Sequence, residues 1–249
     1  MLPRHFLQRV TLRREDVPSF DEYPFNLPSL RGLESFEPHP KLTFFVGENG
    51  SGKSTLLEAI AVSLGMNAEG GTDNFRFSTR ASHSDLHACL RIAKGFKRPR
   101  TRFFLRAESY FNLATEIEAL DDEPSFGPPV IDSYGGRSLH EQSHGESFMA
   151  LLMNRFSDDG LYLLDEPEAA LSPRRQLAAL KRIHALIRHR SQFVIATHSP
   201  ILMAYPDAWI YQFSSRGLER VAYEETEHYQ VTRSFMADPR AALEELLGG

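Results

Sequence analysis

The stretch 'GENGSGKST' (Gly47–Thr55) lies between two runs of opposite character. Before it, 'KLTFFVG' reads as a short buried strand. After it, 'KSTLLEAIAVSLG' has helical spacing and reaches a glycine at Gly65, a suitable helix end. Strand, glycine-rich turn and helix, with the spacing G-x-x-x-x-G-K-[ST], are the parts of a phosphate-binding loop. Glycines at 47, 50 and 52 let the backbone curl so that its N–H groups point inward. Gly47, Glu48, Asn49, Gly50, Ser51 and Gly52 then form, with the helix N-terminus, a cradle for phosphate. Lys53 adds a point charge for the β- and γ-phosphates, Ser54 a hard oxygen for Mg²⁺, and Thr55 an α-phosphate contact. A chance glycine turn would not need this flanking context.

Working outward, the C-terminal half repeats the alternation: strand 'LYLLDE', helix 'RRQLAALKRIHALIRHR', strand 'FVIATH' and a late strand 'AWIYQF'. Strands this uniformly apolar belong in a parallel sheet covered on both faces, an α/β arrangement with flanking helices. Residues 17–40 carry five prolines among aromatics and read as an irregular or edge-strand segment. Residues 67–130, approximately, are less regular and read as a small inserted subdomain within one domain of 249 residues. They hold the basic run Lys94–Arg102 and a strand, 'RFFLRAE'. That run is either a solvated surface or a nucleic-acid contact.

A formal net charge of -5 gives no general sign of nucleic-acid binding. With Cys89 as the single cysteine, neither an internal disulfide nor a cysteine zinc site can form. The start lacks the apolar core of a signal peptide, and no apolar run approaches the ~18 residues needed to span a bilayer. The expectation is a cytoplasmic protein without direct membrane insertion.

Asp165 and Glu166 end an apolar strand, at the sheet edge where ligands bind. Asp165 can hold Mg²⁺ and Glu166 can polarise a water attacking the γ-phosphate. His198 ends 'FVIATH' at the same edge, within reach of that phosphate. The stretch 'SLHEQSHGESFMALL' (Ser138–Leu152) allows three readings. A zinc site would use His140, Glu141 and His144, but Gly145 should end their helix too soon. A hydrolase triad lacks the G-x-S-x-G elbow. A phosphate contact needs only the serines and the glycine. His184 and His189 have polar helical neighbours and should face solvent.

Taken together, these motifs resemble the ATP-binding-cassette (ABC) ATPases, from the N-terminal strand to about Phe213. The resemblance implies a P-loop fold with an N-terminal antiparallel β portion, ATP and Mg²⁺ as ligands, and hydrolysis involving Lys53, Glu166 and His198. 'QSHGE' resembles the family signature, typically LSGGQ, placed 90 residues after Lys53 and 22 before Asp165. By that resemblance Ser143 and the Gly145 N–H contact the γ-phosphate of ATP held by another subunit. His144 and Glu146 depart from the pattern. Ser172 stands where the next family element commonly has aspartate. The family's adenine-stacking aromatic corresponds to Tyr23 or to Phe25 close by, either of which could instead pack in the core. The family's glutamine after the first helix has no counterpart in 'GGTDNFRFSTR'. 'NFRFST', 'FLRAESYFN' and 'THSPILMAYPDAWIYQF' most resemble the compact "AAA family" or overcoming-lysogenization-defect-like ATPases, and the signature is similar to those of chromosome-maintenance and DNA-repair ATPases.

The resulting expectation is an ATPase working as an ATP-dependent homodimer that drives an unidentified protein partner, with a role in DNA repair or defence. Two alternatives share the fold: a transporter's nucleotide-binding subunit, and a non-hydrolysing nucleotide-gated module. A P-loop kinase would leave the signature unexplained.

Overall fold

The computed structural model describes residues 5–67, 84–106, 129–138 and 141–248, with residues 115, 117, 118, 120 and 121 between them. In chain order these include β1 (Leu7–Leu12), α1 (Pro28–Arg31), β2 (Ser35–Phe36), β3 (Leu42–Gly47), α2 (Lys53–Ser63), β4 (Leu90–Lys94) and β5 (Thr101–Arg106). There follow α3 (His144–Ala150), β6 (Gly160–Asp165), α4 (Pro173–Arg188), β7 (Gln192–Ala196), α5 (Pro200–Met203), β8 (Trp209–Ser214), β9 (Gly217–Val221), α6 (Glu227–Ala237) and α7 (Pro239–Leu247).

The main sheet has the order β5-β6-β7-β3-β8-β9. It is parallel except at the β8–β9 hairpin. A smaller antiparallel sheet, β2-β1-β4, lies beside it. The expected α/β class, mostly parallel sheet and antiparallel N-terminal portion are therefore present. Of the expected inserted segment 67–130, β4 joins the small sheet and β5 is an edge of the main one. Much of the remainder lies outside the described residues.

Every residue of β3, β6 and β7 is buried. The pleat explains why both faces need apolar side chains: successive residues point to opposite sides. Leu42, Phe44 and Val46 enter a core with α3 and α4, through Phe148, Ala179 and Ile183. Phe45 enters a second core with β1 and α2, through Val10, Leu56 and Ile60. Full burial of such a side chain contributes about 1.5–3 kcal/mol, so the strand is held from both sides.

One buried amide joins the two sheets. Gln192 Oε1 accepts from the backbone N–H of Phe6 at 2.9 Å and Leu7 at 2.8 Å. Its Nε2 donates to the carbonyls of Leu7 at 2.9 Å and His39 at 3.0 Å. All four bonding positions of the amide are used, which removes the cost of burying it.

The segment after 'SLHEQ' is a helix start. Gly145 does not end a helix; α3 starts at His144, with Ser143 as N-cap. Ser143 and Glu146 form a capping box, an S-x-x-E pattern that satisfies helix-start donors reciprocally. His140, part of the zinc reading, lies outside the described residues. No cluster of three potential metal-ligating His, Cys, Asp or Glu residues occurs among the described ones.

Candidate nucleotide site

Gly47 leaves β3 at φ +143°, and a Cβ there would lie 2.4 Å from the Phe213 carbonyl oxygen. Only glycine fits where the loop turns against β8. The loop then curls to Gly52, the N-cap of α2. Lys53 is buried, and its Nζ donates to the carbonyls of Gly47 and Glu48, both at 2.8 Å. Burial lowers its pKa, opposed by Glu166, Asp165 and Glu168 nearby. The side chain is thus folded back across the loop it would serve.

Ser54 Oγ donates to Asp165 Oδ1 at 2.9 Å, joining the first turn of α2 to the end of β6. Burial pushes the Asp165 carboxyl up to about 6, although the Ser54 bond opposes the rise. A buried carboxylate beside a hydroxyl is a hard-oxygen pair whose charge a divalent cation would offset. Arg106, at the end of β5, pairs with Glu58 of α2 at 2.7 Å and fixes the helix to the same sheet edge.

Glu166 follows Asp165 in a left-handed conformation, φ 48° and ψ 49°. That is costly for a non-glycine residue and more so before proline, here Pro167. Its N–H continues the ladder to the Ala196 carbonyl at 2.9 Å, which holds the turn in place. Glu166 Oε1 lies 3.5 Å from His198 Nε2. His198 is held on both sides: its N–H donates to Glu168 Oε1 at 2.6 Å, and its Nδ1 lies 3.0 Å from His228 Nε2 on α6. Burial lowers the pKa of both histidines, and the Lys53 charge lowers them further. Burial also raises the Glu168 carboxyl.

Gly47–Thr55, Asp165, Glu166 and His198 therefore converge at the carboxyl ends of β3, β6 and β7. Three buried polar atoms there, Ser51 Oγ, Glu168 Oε2 and His198 Nε2, have no hydrogen-bond partner. Orphaned polar atoms beside a glycine-rich cradle suit a polar, many-oxygen ligand such as a nucleotide phosphate. A cavity of about 360 Å³ opens along Gly47–Ser51, bounded by Gln212–Ser215 and Glu227. Tyr23 is exposed, with its hydroxyl 2.9 Å from Thr55 Oγ1. Phe25 is buried in the core against Phe20 and is not open to a base.

Ser143 and Gly145 stand elsewhere. Ser143 Oγ donates to Glu146 Oε2 at 2.8 Å, and its N–H donates to the same oxygen at 3.0 Å. Arg175 of α4 lies 3.4 Å from both Ser143 Oγ and the Glu146 carboxylate. A Cβ at Gly145 would meet the Ala170 carbonyl and the Arg175 guanidinium, each at 2.6 Å, so the helix start packs there as only glycine can. Among the described residues no hydrogen bond joins Ser143 or Gly145 to the phosphate loop. Ser172 caps α4 through the Arg175 N–H.

Sequence reasoning missed Glu168, in the short 3-10 turn that follows Glu166, and His228. For Glu168 the signal was its place in 'DEPE'. For His228, on a polar helix far along the chain, there was none.

Two family models match the chain. A family model described as "AAA domain" matches residues 25–118. A second, "AAA domain, putative AbiEii toxin, Type IV TA system", matches residues 117–204. Among solved structures, "An inward-facing conformation of a putative metal-chelate type ABC transporter" superimposes with a TM-score of 0.51, at 16% identity, over 92% of this chain and 88% of that one. This is an ABC-type P-loop ATPase fold. A curated relative, the "Nickel import ATP-binding protein NikO" of Rhodobacter capsulatus, is 32% identical over 173 residues, covering 59% of this chain. The match spans 63% of that relative's length. No helix among the described residues is long and apolar enough to cross a membrane.

Proposed function

We propose that the chain binds Mg²⁺ and ATP at this edge and hydrolyses ATP in a head-to-tail dimer, each site completed by the partner's signature. The convergence of Lys53, the Ser54–Asp165 pair and the Glu166–His198 pair on one glycine cradle carries this reading. The loop N–H groups and Lys53 hold the β- and γ-phosphates, and Tyr23 stacks on the base. Ser54 and Asp165 would hold Mg²⁺, which supplies charge neutralisation at the phosphate oxygens. Glu166 orients the attacking water and takes its proton. His228 positions His198: a proton on His228 Nε2 leaves His198 protonated at Nε2, the nitrogen facing Glu166, where it can donate to a γ-phosphate oxygen.

Ser143 and Gly145 supply donors from the other subunit, and Glu146 must first release the Ser143 donors it now holds. Closing on ATP and opening after hydrolysis would drive a bound protein partner. The test is Glu166→Gln. It should bind ATP, accumulate as a closed dimer and turn over about 10²–10⁴-fold more slowly. Unchanged steady-state hydrolysis would sink the role given to Glu166.

The nickel-import relative favours a second reading, in which the driven partner is a membrane transport subunit. Co-purification of the ATP-trapped Glu166→Gln protein with an integral membrane protein would select it.

A further inference from the structure

At the opposite end of the sheet, where β5 and β6 begin, a second cavity of about 390 Å³ is lined by Lys94, Lys97, Arg98, Arg100 and Arg102, with Leu161 at its floor. The chain as a whole is acidic, with a net charge of -5, so this gathering of cations runs against its overall balance. Two acids lie near it. Asp159 is buried and already held, by Lys97 Nζ at 2.8 Å and by Arg190 Nη2 at 2.6 Å. Asp158 lies 3.4 Å from His189. Lys94, Arg98 and Arg100 remain exposed on the rim.

In the same loop, between Gly95 and Lys97 of the lining, stands Phe96, which is 91% exposed. Its loop is not loose. The Gly95 N–H donates to the Phe6 carbonyl at 2.8 Å, and the Arg100 N–H to the Asp159 carbonyl at 2.8 Å. With Lys97 tied to Asp159, the ring is held out into solvent from an anchored loop. Exposing a phenyl ring forgoes burial worth about 1.5–3 kcal/mol, whereas Phe44, Phe45, Phe103 and Phe104 of β3 and β5 are all buried.

A concave, cationic rim with one projecting aromatic matches the physics of single-strand binding: phosphates along the charges and a base on the ring. A duplex would keep its bases stacked and leave Phe96 without a partner. An anionic membrane would favour several aliphatic side chains beside the cations. We propose that this face binds single-stranded nucleic acid, with Lys94, Arg98 and Arg100 on the phosphates and Phe96 under a base. The face also has a physical route to the phosphate loop. Helix α2 begins at Lys53, and Leu64, just past its end, lines this cavity and accepts a hydrogen bond from Arg102. The proposal names a partner class for the proposed ATPase, but binding itself does not depend on hydrolysis.

The test is fluorescence anisotropy with a labelled oligo-dT of about 16 nucleotides, against a dA·dT duplex of equal length and phosphatidylserine vesicles. The full chain should bind oligo-dT more tightly than the duplex. Phe96→Ala should weaken binding about tenfold. Arg98→Glu with Arg100→Glu should weaken it further and flatten the slope of log K against log salt by about 1.4. Thermal melts and ATP turnover without nucleic acid should match the wild type in both variants, which separates failure here from failure of the ATPase reading. Absence of oligo-dT binding, vesicle binding in its place, or affinity indifferent to Phe96→Ala would each overturn the assignment.

Discussion

The phosphate loop and the signature helix are both glycine-bearing helix starts, yet they are prepared differently. At the phosphate loop Lys53 lies folded across the glycine cradle on the Gly47 and Glu48 carbonyls, and Ser54 already meets Asp165 from another strand. At α3 the donors of Ser143 are taken by its own Glu146, and Ser143 is exposed. One half of the site is assembled within a chain. The other is capped by an internal carboxylate that mimics an anion. On the proposed function, binding and turnover are separable: a single chain would hold ATP, and hydrolysis would wait for a second chain to displace the cap.

The largest test of the preassembled half is Asp165→Asn. Above pH 6 Asp165 is ionised in both folded and unfolded chains, and the folded one carries the cost of burying that charge. Below the ordinary value of 3.8 both are protonated and the cost is gone. A rise to about 6 corresponds to about 3 kcal/mol at neutral pH. Asp165→Asn should therefore stabilise the nucleotide-free chain near pH 7 by up to about 3 kcal/mol, while abolishing Mg²⁺-dependent turnover. The gain should fade as pH drops from 6 toward 4, as read by urea titrations across that range. A variant no more stable than the wild type at pH 7 would mean that the Asp165 charge is offset in the free chain.

A smaller effect is expected at His228, which touches the preassembled half only through His198. His228→Ala should reduce kcat about tenfold and leave KM for ATP near its original value. Its removal takes away one influence that lowers the His198 pKa and admits water, so the acid limb of the kcat profile should move to higher pH. An unmoved limb would make the contact structural only.

The smallest effect concerns the cap. Hydrogen bonds from Ser143 lower the Glu146 carboxyl, so it is charged at neutral pH and would face an incoming γ-phosphate with like charge. Glu146→Gln should dimerise at a few-fold lower ATP concentration, read by light scattering in the Glu166→Gln background. Dimerisation at higher ATP would show that the carboxylate aids closure.

The same contrast governs what could be read from the sequence. The phosphate loop and the strand-end acids were legible because local spacing and flanking apolar runs specify them. The capping box in 'SHGE' is equally local, an S-x-x-E pattern just ahead of an apolar run. Gln192 and His228 act through contacts 185 and 30 residues away in sequence, so no local pattern announces them. Phe25, near Tyr23 in sequence, differs from it only in which side of the segment faces the core.

The central claim is that the working site is shared between chains, and mixing two inactive variants tests it most directly. Lys53→Ala loses the phosphate-loop charge and keeps an intact signature. Ser143→Arg keeps the loop, binds ATP as an isolated chain, and cannot close. A mixed dimer contains one site with both halves intact, so ATP turnover should appear on mixing where neither variant alone has it. Turnover that stays at the sum of the separate variants, or normal hydrolysis by Ser143→Arg alone, would contradict the shared site.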